Sequence, residues 1–243
     1  MANVLSKENR PIIALDFPGK DEAVEFLRLF PGEELFVKVG MKLYYQTGAD
    51  FIKELKRAGH SVFLDLKLHD IPNTVYRAMK VLAELDIDMV NVHAAGGSKM
   101  MEAALRGLED GSGTGRSRPA IIAVTQLTST SEEQMKTEQL IDRPLQKSVL
   151  HYALLAKRAG LDGVVCSAHE AGLIADETGS SFLRVTPGIR PEGHATDDQK
   201  RVVTPREARK IGASLIVVGR PITRADQPRS AYQKVLKEWE MGR

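Results

Sequence analysis

Hydrophobic and polar positions change their period repeatedly along this chain. Short β-branched runs at 12–17, 35–40, 62–68, 89–93, 120–127, 163–167, 183–186 and 215–218 have the length and composition of strands, and helical spacing fills the gaps between them. Phe51, Ile52, Leu55 and Ala58 make one helical stripe, and Val75, Met79, Leu82 and Leu85 make another. Thr204-Pro205-Arg206-Glu207 combines an N-cap, a proline at the first helical position and a capping-box glutamate. Ser131-Glu132-Glu133-Gln134 carries the same box pattern. Gly59, Gly160 and Gly212 stand where helix ends want a left-handed residue.

Alternation of this kind demands parallel strand pairing and right-handed crossovers. Eight such units in 243 residues predict a (β/α)8 TIM barrel of the α/β class, with one catalytic domain over 1–243. A doubly wound open sheet is the alternative. No linker or shift of composition divides the chain.

The two-residue period then sorts the strands into faces. Val62, Leu64, Leu66 and Leu68 share one face, expected to pack under the helices, while Phe63, Asp65 and Lys67 share the other. The same parity turns Asp16 and Lys38 inward, with Ile13, Leu15, Phe17, Val37 and Val39 outward. Three neighbouring strands thus deliver Asp16, Lys38, Asp65 and Lys67 to the end of the barrel where active sites of this fold lie, with Asp70 just beyond. The competing account is a structural ion-pair ring, a weak motive because buried ion pairs stabilise little compared with apolar packing.

A second constellation lies late in the chain. Thr186-Pro187-Gly188-Ile189-Arg190 follows strand seven and Gly219-Arg220-Pro221-Ile222 follows strand eight. Barrels often bind phosphate with these two loops. Gly219 would let backbone approach the anion, and Arg220 could grip two oxygens. The polar stretch 191–201 is long enough for a lid, or else a plain solvated loop.

Charge and composition narrow the remaining classes. With 34 basic and 32 acidic residues the net charge is +2, too balanced and dispersed for a nucleic-acid surface. The glycine-rich run 111–118 is expected to be a flexible surface loop, since no Lys-Ser/Thr follows to make a phosphate loop. The single cysteine, Cys166, excludes an internal disulfide and points to a reducing compartment. Residues 1–10 are polar, and no run nears the roughly 18 apolar residues of a membrane span, so a cytoplasmic location is expected. The histidines show no metal-binding spacing. His93 is expected as a hydrogen-bonded pocket residue, Cys166 as a small buried one and Trp239 as packing.

Asp65-Leu66-Lys67-Leu68-His69-Asp70-Ile71-Pro72-Asn73-Thr74 resembles the signature of the orotidine 5′-phosphate decarboxylase family. The likeness extends to Ala14-Leu15-Asp16, Val37-Lys38-Val39-Gly40, Gln126-Leu127-Thr128-Ser129 and the two loops above. Asp-x-Lys-x-x-Asp alone is shared with metal-dependent sugar-phosphate enzymes; the following Ile-Pro-Asn-Thr, with Asp16 and Lys38, makes it specific. The resemblance implies a bacterial-type, cofactor-free and metal-free decarboxylation yielding uridine 5′-phosphate, the last step of de novo pyrimidine synthesis. It implies that Lys67 protonates C6 of the pyrimidine as carbon dioxide leaves, that Asp65 sits beside the substrate carboxylate, that Lys38 holds the charge network and touches the ribose, and that Asp16 also meets the ribose. Thr128 would meet the pyrimidine edge, and Pro187 would also contact the substrate. Arg190, Gln199, Gly219 and Arg220 would hold the phosphate, Gln199 arriving on the lid. It further implies a homodimer in which Asp70 and Thr74 enter the neighbouring site.

Other chemistries use the same residues differently. A Schiff-base aldolase would need Lys67 as a neutral amine, which adjacent carboxylates disfavour. An Mg²⁺-dependent sugar-phosphate decarboxylase or epimerase would use Asp65 and Asp70 as ligands. A non-catalytic sensor of phosphorylated ligands would bind without turnover and need no proton donor.

Overall fold

The computed structural model describes residues 10–192 and 203–242. Their strands are β1 (Ile12–Ala14), β2 (Phe36–Gly40), β3 (Ser61–Leu68), β4 (Met89–His93), β5 (Ala120–Val124), β6 (Gly163–Val165), β7 (Leu183–Thr186) and β8 (Leu215–Val218). All pair in parallel in sequence order, and β1 closes on β8 to complete a barrel. The helices are α1 (Lys20–Arg28), α2 (Met41–Arg57), α3 (Pro72–Ala83), α4 (Gly97–Gly111), α5 (Glu132–Thr137), α6 (Leu145–Arg158), α7 (Ala168–Thr178), α8 (Pro205–Ile211), α9 (Arg220–Thr223) and α10 (Pro228–Glu240). The open doubly wound sheet is thereby excluded.

Strand parity separates two cores. Ile13, Leu15, Val37, Val39, Val62 and Leu64 join the layer under the helices. Ile12, Ala14, Phe36, Phe63, Met89 and Ile122 fill the barrel itself, so it is a packed plug with a mouth and not a pore. Several expected strands are shorter than their hydrophobic runs. β1 stops at Ala14, and Asp16 and Phe17 lie on the loop beyond; β5 stops at Val124, and β6 at Val165. The apolar run continues there because loop residues such as Leu15 and Cys166 are also buried, and burial is what the pattern reports. Ala58 leaves its expected stripe for the same kind of reason. It is the exposed C-cap of α2, where the turn through Gly59 (φ 84°) has already rotated the chain away from the core.

Two carboxylates repeat one device at the bottom of the barrel. Asp88 accepts from the backbone N–H of Val62 at 2.7 Å and pairs with Lys56 at 2.6 Å. Asp162 accepts from the N–H of Ile121 at 2.8 Å and takes both terminal nitrogens of Arg118, at 2.5 and 2.9 Å. Each sits just before one strand and satisfies the start of its neighbour. The glycine-rich run 113–117 is exposed, but Arg118 at its end is tied down.

Local signals behave as chemistry dictates. The Thr204–Glu207 box closes in both directions, at 3.2 and 2.9 Å. The Ser131 box closes only halfway: its hydroxyl accepts from Gln134 N–H, while the Gln134 amide donates to Glu138 instead. A third box, Ser167 with Glu170 on α7, has the same spacing. Gly107 and Gly111 let α4 lie against α3 backbone to backbone; a Cβ on either would stand 2.3 Å from the carbonyl oxygen of Tyr76 or Lys80. Trp239 is fully buried, with the Arg209 guanidinium 4.5 Å over its ring. Among the described residues no helix is long and apolar enough to cross a membrane.

Candidate active site

A cavity of roughly 280 Å³ opens at the C-terminal ends of the strands. Asp16, Lys38, Asp65, Lys67 and Thr128 line it from the first half of the barrel, and Pro187, Gly188, Arg190, Gly219 and Arg220 from the second. Larger hollows of about 600 and 750 Å³ lie on the outer surface, around 226–233 and 141–152, and hold none of these residues. Charge, not volume, marks the site.

The cluster is built around Asp65. Its Oδ1 receives Lys67 Nζ at 2.7 Å, and its Oδ2 lies 3.3 Å from Lys38 Nζ. Lys38 Nζ also lies 3.3 Å from Asp16 Oδ1. Burial by itself pushes the Asp65 carboxyl up. The ammoniums of Lys38 and Lys67, with hydrogen bonds from Lys67 and Asn91, outweigh that and hold it below the usual carboxylate range. The acid is therefore ionised and locked between two cations.

The path by which Lys67 arrives differs from plain strand alternation. Pairing of β3 with β4 runs Leu64↔Val90 and then Leu68↔Val92, so four steps on β3 oppose two on β4. Lys67 stands in this irregular stretch with φ 54°, a left-handed backbone that non-glycine residues rarely adopt. Its ammonium still meets Asp65, but a bulge delivers it, not a regular pleat.

Asn91 escaped the sequence reading. Wholly buried on β4, it donates from Nδ2 to Asp65 Oδ1 at 2.7 Å and accepts the Lys67 backbone N–H at 2.8 Å. The available signal was a polar residue at the inward parity of a strand otherwise apolar except for His93. Gln126, buried after β5, lies in a stretch that carries the family likeness but had no role there; it donates to Gln139 and Ser148, each at 3.1 Å, and so anchors the loop bearing Thr128. His93 is half-buried with its ring centroid 5.6 Å from that of His69. Burial, then the neighbouring His69 and Lys67, hold its pKa below the usual value, partly offset by Asp65.

The second constellation also assembles. Arg190 is buried, and its backbone N–H donates to Val203 O at 3.0 Å beside the Ile189–Val203 bridge. Gly219 caps the short α9, and a Cβ there would meet only ordinary contacts, 3.6 Å from Ala14 and 3.8 Å from Asp16. Gln199, with the part of the expected lid at 193–201, lies outside the described residues. Asp70 and Thr74 are exposed at the start of α3 and do not line the cavity of their own chain.

Residues 9–235 match the family described as Orotidine 5'-phosphate decarboxylase / HUMPS. The chain belongs to that family. It is similar to the orotidine 5'-phosphate decarboxylase of Lysinibacillus sphaericus, at 62% identity over 231 residues, covering 95% of this chain and 98% of the relative. A crystal structure of orotidine 5'-phosphate decarboxylase from Lactobacillus acidophilus is 44% identical, with a TM-score of 0.86 over 95% of this chain and 98% of the other. An uncharacterized conserved protein from Geobacillus kaustophilus, also a crystal structure, is 55% identical, with a TM-score of 0.85 over 94% and 99%.

Proposed function

We propose that this chain decarboxylates orotidine 5′-monophosphate to uridine 5′-monophosphate and carbon dioxide without a cofactor, in pyrimidine biosynthesis in the cytoplasm. Family membership supports the reaction; the observation that carries its mechanism is the Lys38–Asp65–Lys67 chain of charges facing the cavity.

Loss of carbon dioxide leaves a carbanion at C6 for which the pyrimidine ring offers no electron sink. Catalysis at the top of the known range must remove about 20 kcal/mol or more. An ionised Asp65 about 4 Å from the substrate carboxylate raises the ground state by roughly 4 kcal/mol at an effective dielectric of 20. The larger share comes from Lys67, whose ammonium is already fixed where negative charge develops and which then delivers a proton to C6. Lys38 and Asp16 take the ribose, Thr128 the pyrimidine edge, and Pro187 closes one wall. Arg190, Gly219 and Arg220, with Gln199, hold the phosphate, whose binding energy offsets the cost of forming this charged, enclosed site.

We further infer a homodimer in which Asp70 and Thr74 complete the neighbouring site. Both are exposed and do not line the cavity of their own chain, and Ile71 between them is 67% exposed, an apolar residue in need of cover. The Mg²⁺-dependent alternative fits less well. Both Asp65 oxygens are engaged by ammoniums, and Asp70 does not line the cavity with it.

The test is to mix purified protein with orotidine 5′-monophosphate and excess EDTA and follow the ultraviolet absorbance of the substrate. Rapid loss with release of carbon dioxide supports the proposal. No loss in folded protein that still binds the nucleotide overturns it in favour of a sensor or a metal-dependent relative.

A further inference from the structure

Among the described residues, Asn91 is the one uncharged side chain that hydrogen-bonds to both Asp65 and Lys67. A buried amide has a donor end and an acceptor end, and each is used once here. Nδ2 donates to the carboxylate of Asp65 at 2.7 Å, and Oδ1 accepts the backbone N–H of Lys67 at 2.8 Å. Reversing the amide would set its oxygen against the carboxylate and its NH₂ against an N–H, so these partners fix its orientation.

Two features of the site need such a tether. First, the Lys67 backbone is left-handed at φ 54°, in a stretch where β3 and β4 lose register. The Lys67 N–H therefore lacks the regular partner a ladder would supply, and Asn91 replaces it. Second, Asp65 Oδ1 is shared by Lys67 Nζ and Asn91 Nδ2, both at 2.7 Å. The carboxylate is thereby oriented from the protein side while its cations stand on the cavity side. We propose that Asn91 is a positioning residue for the reaction, one that holds the backbone of Lys67 and the carboxylate of Asp65 in a single rigid unit without touching substrate. This inference rests on the decarboxylase reading above.

Asn91 sits with defined charges around it: Asp65 and Lys67 on the neighbouring β3, Lys38 beyond them on β2 against Asp65, and His93 two residues along its own strand. Replacement by aspartate keeps shape and size. In its protonated form the new side chain can donate to Asp65 and accept from Lys67 N–H, as the amide does. In its ionised form it loses the donor and repels Asp65. Two carboxyls this close titrate as a coupled pair, and lower pH favours the form that retains a proton. The wild type shares every other titrating group, so the ratio of the two enzymes isolates residue 91.

The experiment measures kcat and KM for orotidine 5′-monophosphate, affinity for uridine 5′-monophosphate and melting temperature for wild type, Asn91→Ala and Asn91→Asp. The wild-type turnover, measured first, decides the decarboxylase reading by itself. In Asn91→Ala, kcat is expected to fall at least about 100-fold, the scale of an ångström's misplacement of a reacting group, with product affinity within about threefold of wild type. In Asn91→Asp, kcat relative to wild type is expected to climb as pH falls from about 8 to about 5. A lowered melting temperature with unchanged kcat in folded Asn91→Ala, or an Asn91→Asp ratio that does not vary with pH, overturns the proposal. Should wild type show no turnover, a crystal structure of Asn91→Ala still judges the geometry. Lys67 leaving the left-handed region supports the tether, and an unmoved Lys67 and Asp65 sink it.

Discussion

Lys38 and Asp65 meet across adjacent strands, with Nζ 3.3 Å from Oδ2, although their backbones are not register partners: Lys38 pairs with Phe63 and Asp65 with Gly40. The ammonium reaches along the barrel axis toward the mouth and leaves Gly40, at the junction of β2 and α2, beside the charges. A Cβ on Gly40 would lie 3.5 Å from that same Nζ. The cluster is thus packed on one side by backbone and open on the other to the cavity. This arrangement suits a site whose charges must be in place before substrate enters.

If Lys67 acts on the reacting carbon, its removal should separate binding from chemistry. Lys67→Ala is expected to bind uridine 5′-monophosphate while turnover drops by at least about 10⁴-fold, the combined scale of losing a general acid and an electrostatic stabiliser. Isothermal titration and a stopped assay on one preparation give both values. Full residual activity would remove Lys67 from the mechanism.

If Asp70 serves the partner's site, two inactive variants should rescue one another. Mixing Asp70→Ala with Lys67→Ala subunits gives hybrids in which one site contains both wild-type residues. Activity should recover toward one functional site per hybrid dimer. Mass spectrometry would establish subunit exchange, and no recovery in exchanged hybrids would place Asp70 in its own chain's site.

Asp162 should matter for stability and not for chemistry. Its carboxylate is almost wholly buried and holds Arg118 and the N–H of Ile121 at the bottom of the barrel, away from the mouth. Breaking a pair of this kind costs about 3 kcal/mol. In a chain of this length that lowers the melting temperature by roughly 6–12 °C. Calorimetry on Asp162→Ala, alongside kcat at 25 °C, should show the first change without the second.

His60 gives the fold an acid-sensitive element. Its Nδ1 accepts the Leu35 N–H at 3.1 Å, and burial, only partly opposed by Glu34, holds its pKa below the usual value. The unfolded chain therefore binds the proton first. The contribution of His60 is complete above an unfolded pKa of about 6.5 and is lost as pH falls through the lower folded value. Urea midpoints from about pH 7.5 to about 5 should fall more for wild type than for His60→Gln, which has no imidazole to protonate. Parallel curves would exclude His60 as the source.

The sequence by itself determined the eightfold alternation, which residues face the helices, and that Asp16, Lys38, Asp65 and Lys67 gather at one end with Arg190, Gly219 and Arg220. These follow from local periodicity: a two-residue repeat fixes a side chain's face, and a strand's C-terminal end fixes its place in a closed barrel. Tertiary structure decided the rest. The bulge that delivers Lys67 depends on how β3 and β4 pair, which no run within 62–68 encodes. Asn91 and Gln126 looked like ordinary polar residues because their partners lie at least 13 positions away in sequence. Ala58 looked buried because helical spacing does not say where the helix turns off. Hydrogen bonds between distant segments are set by strand register and burial, and those are properties of the closed barrel as a whole.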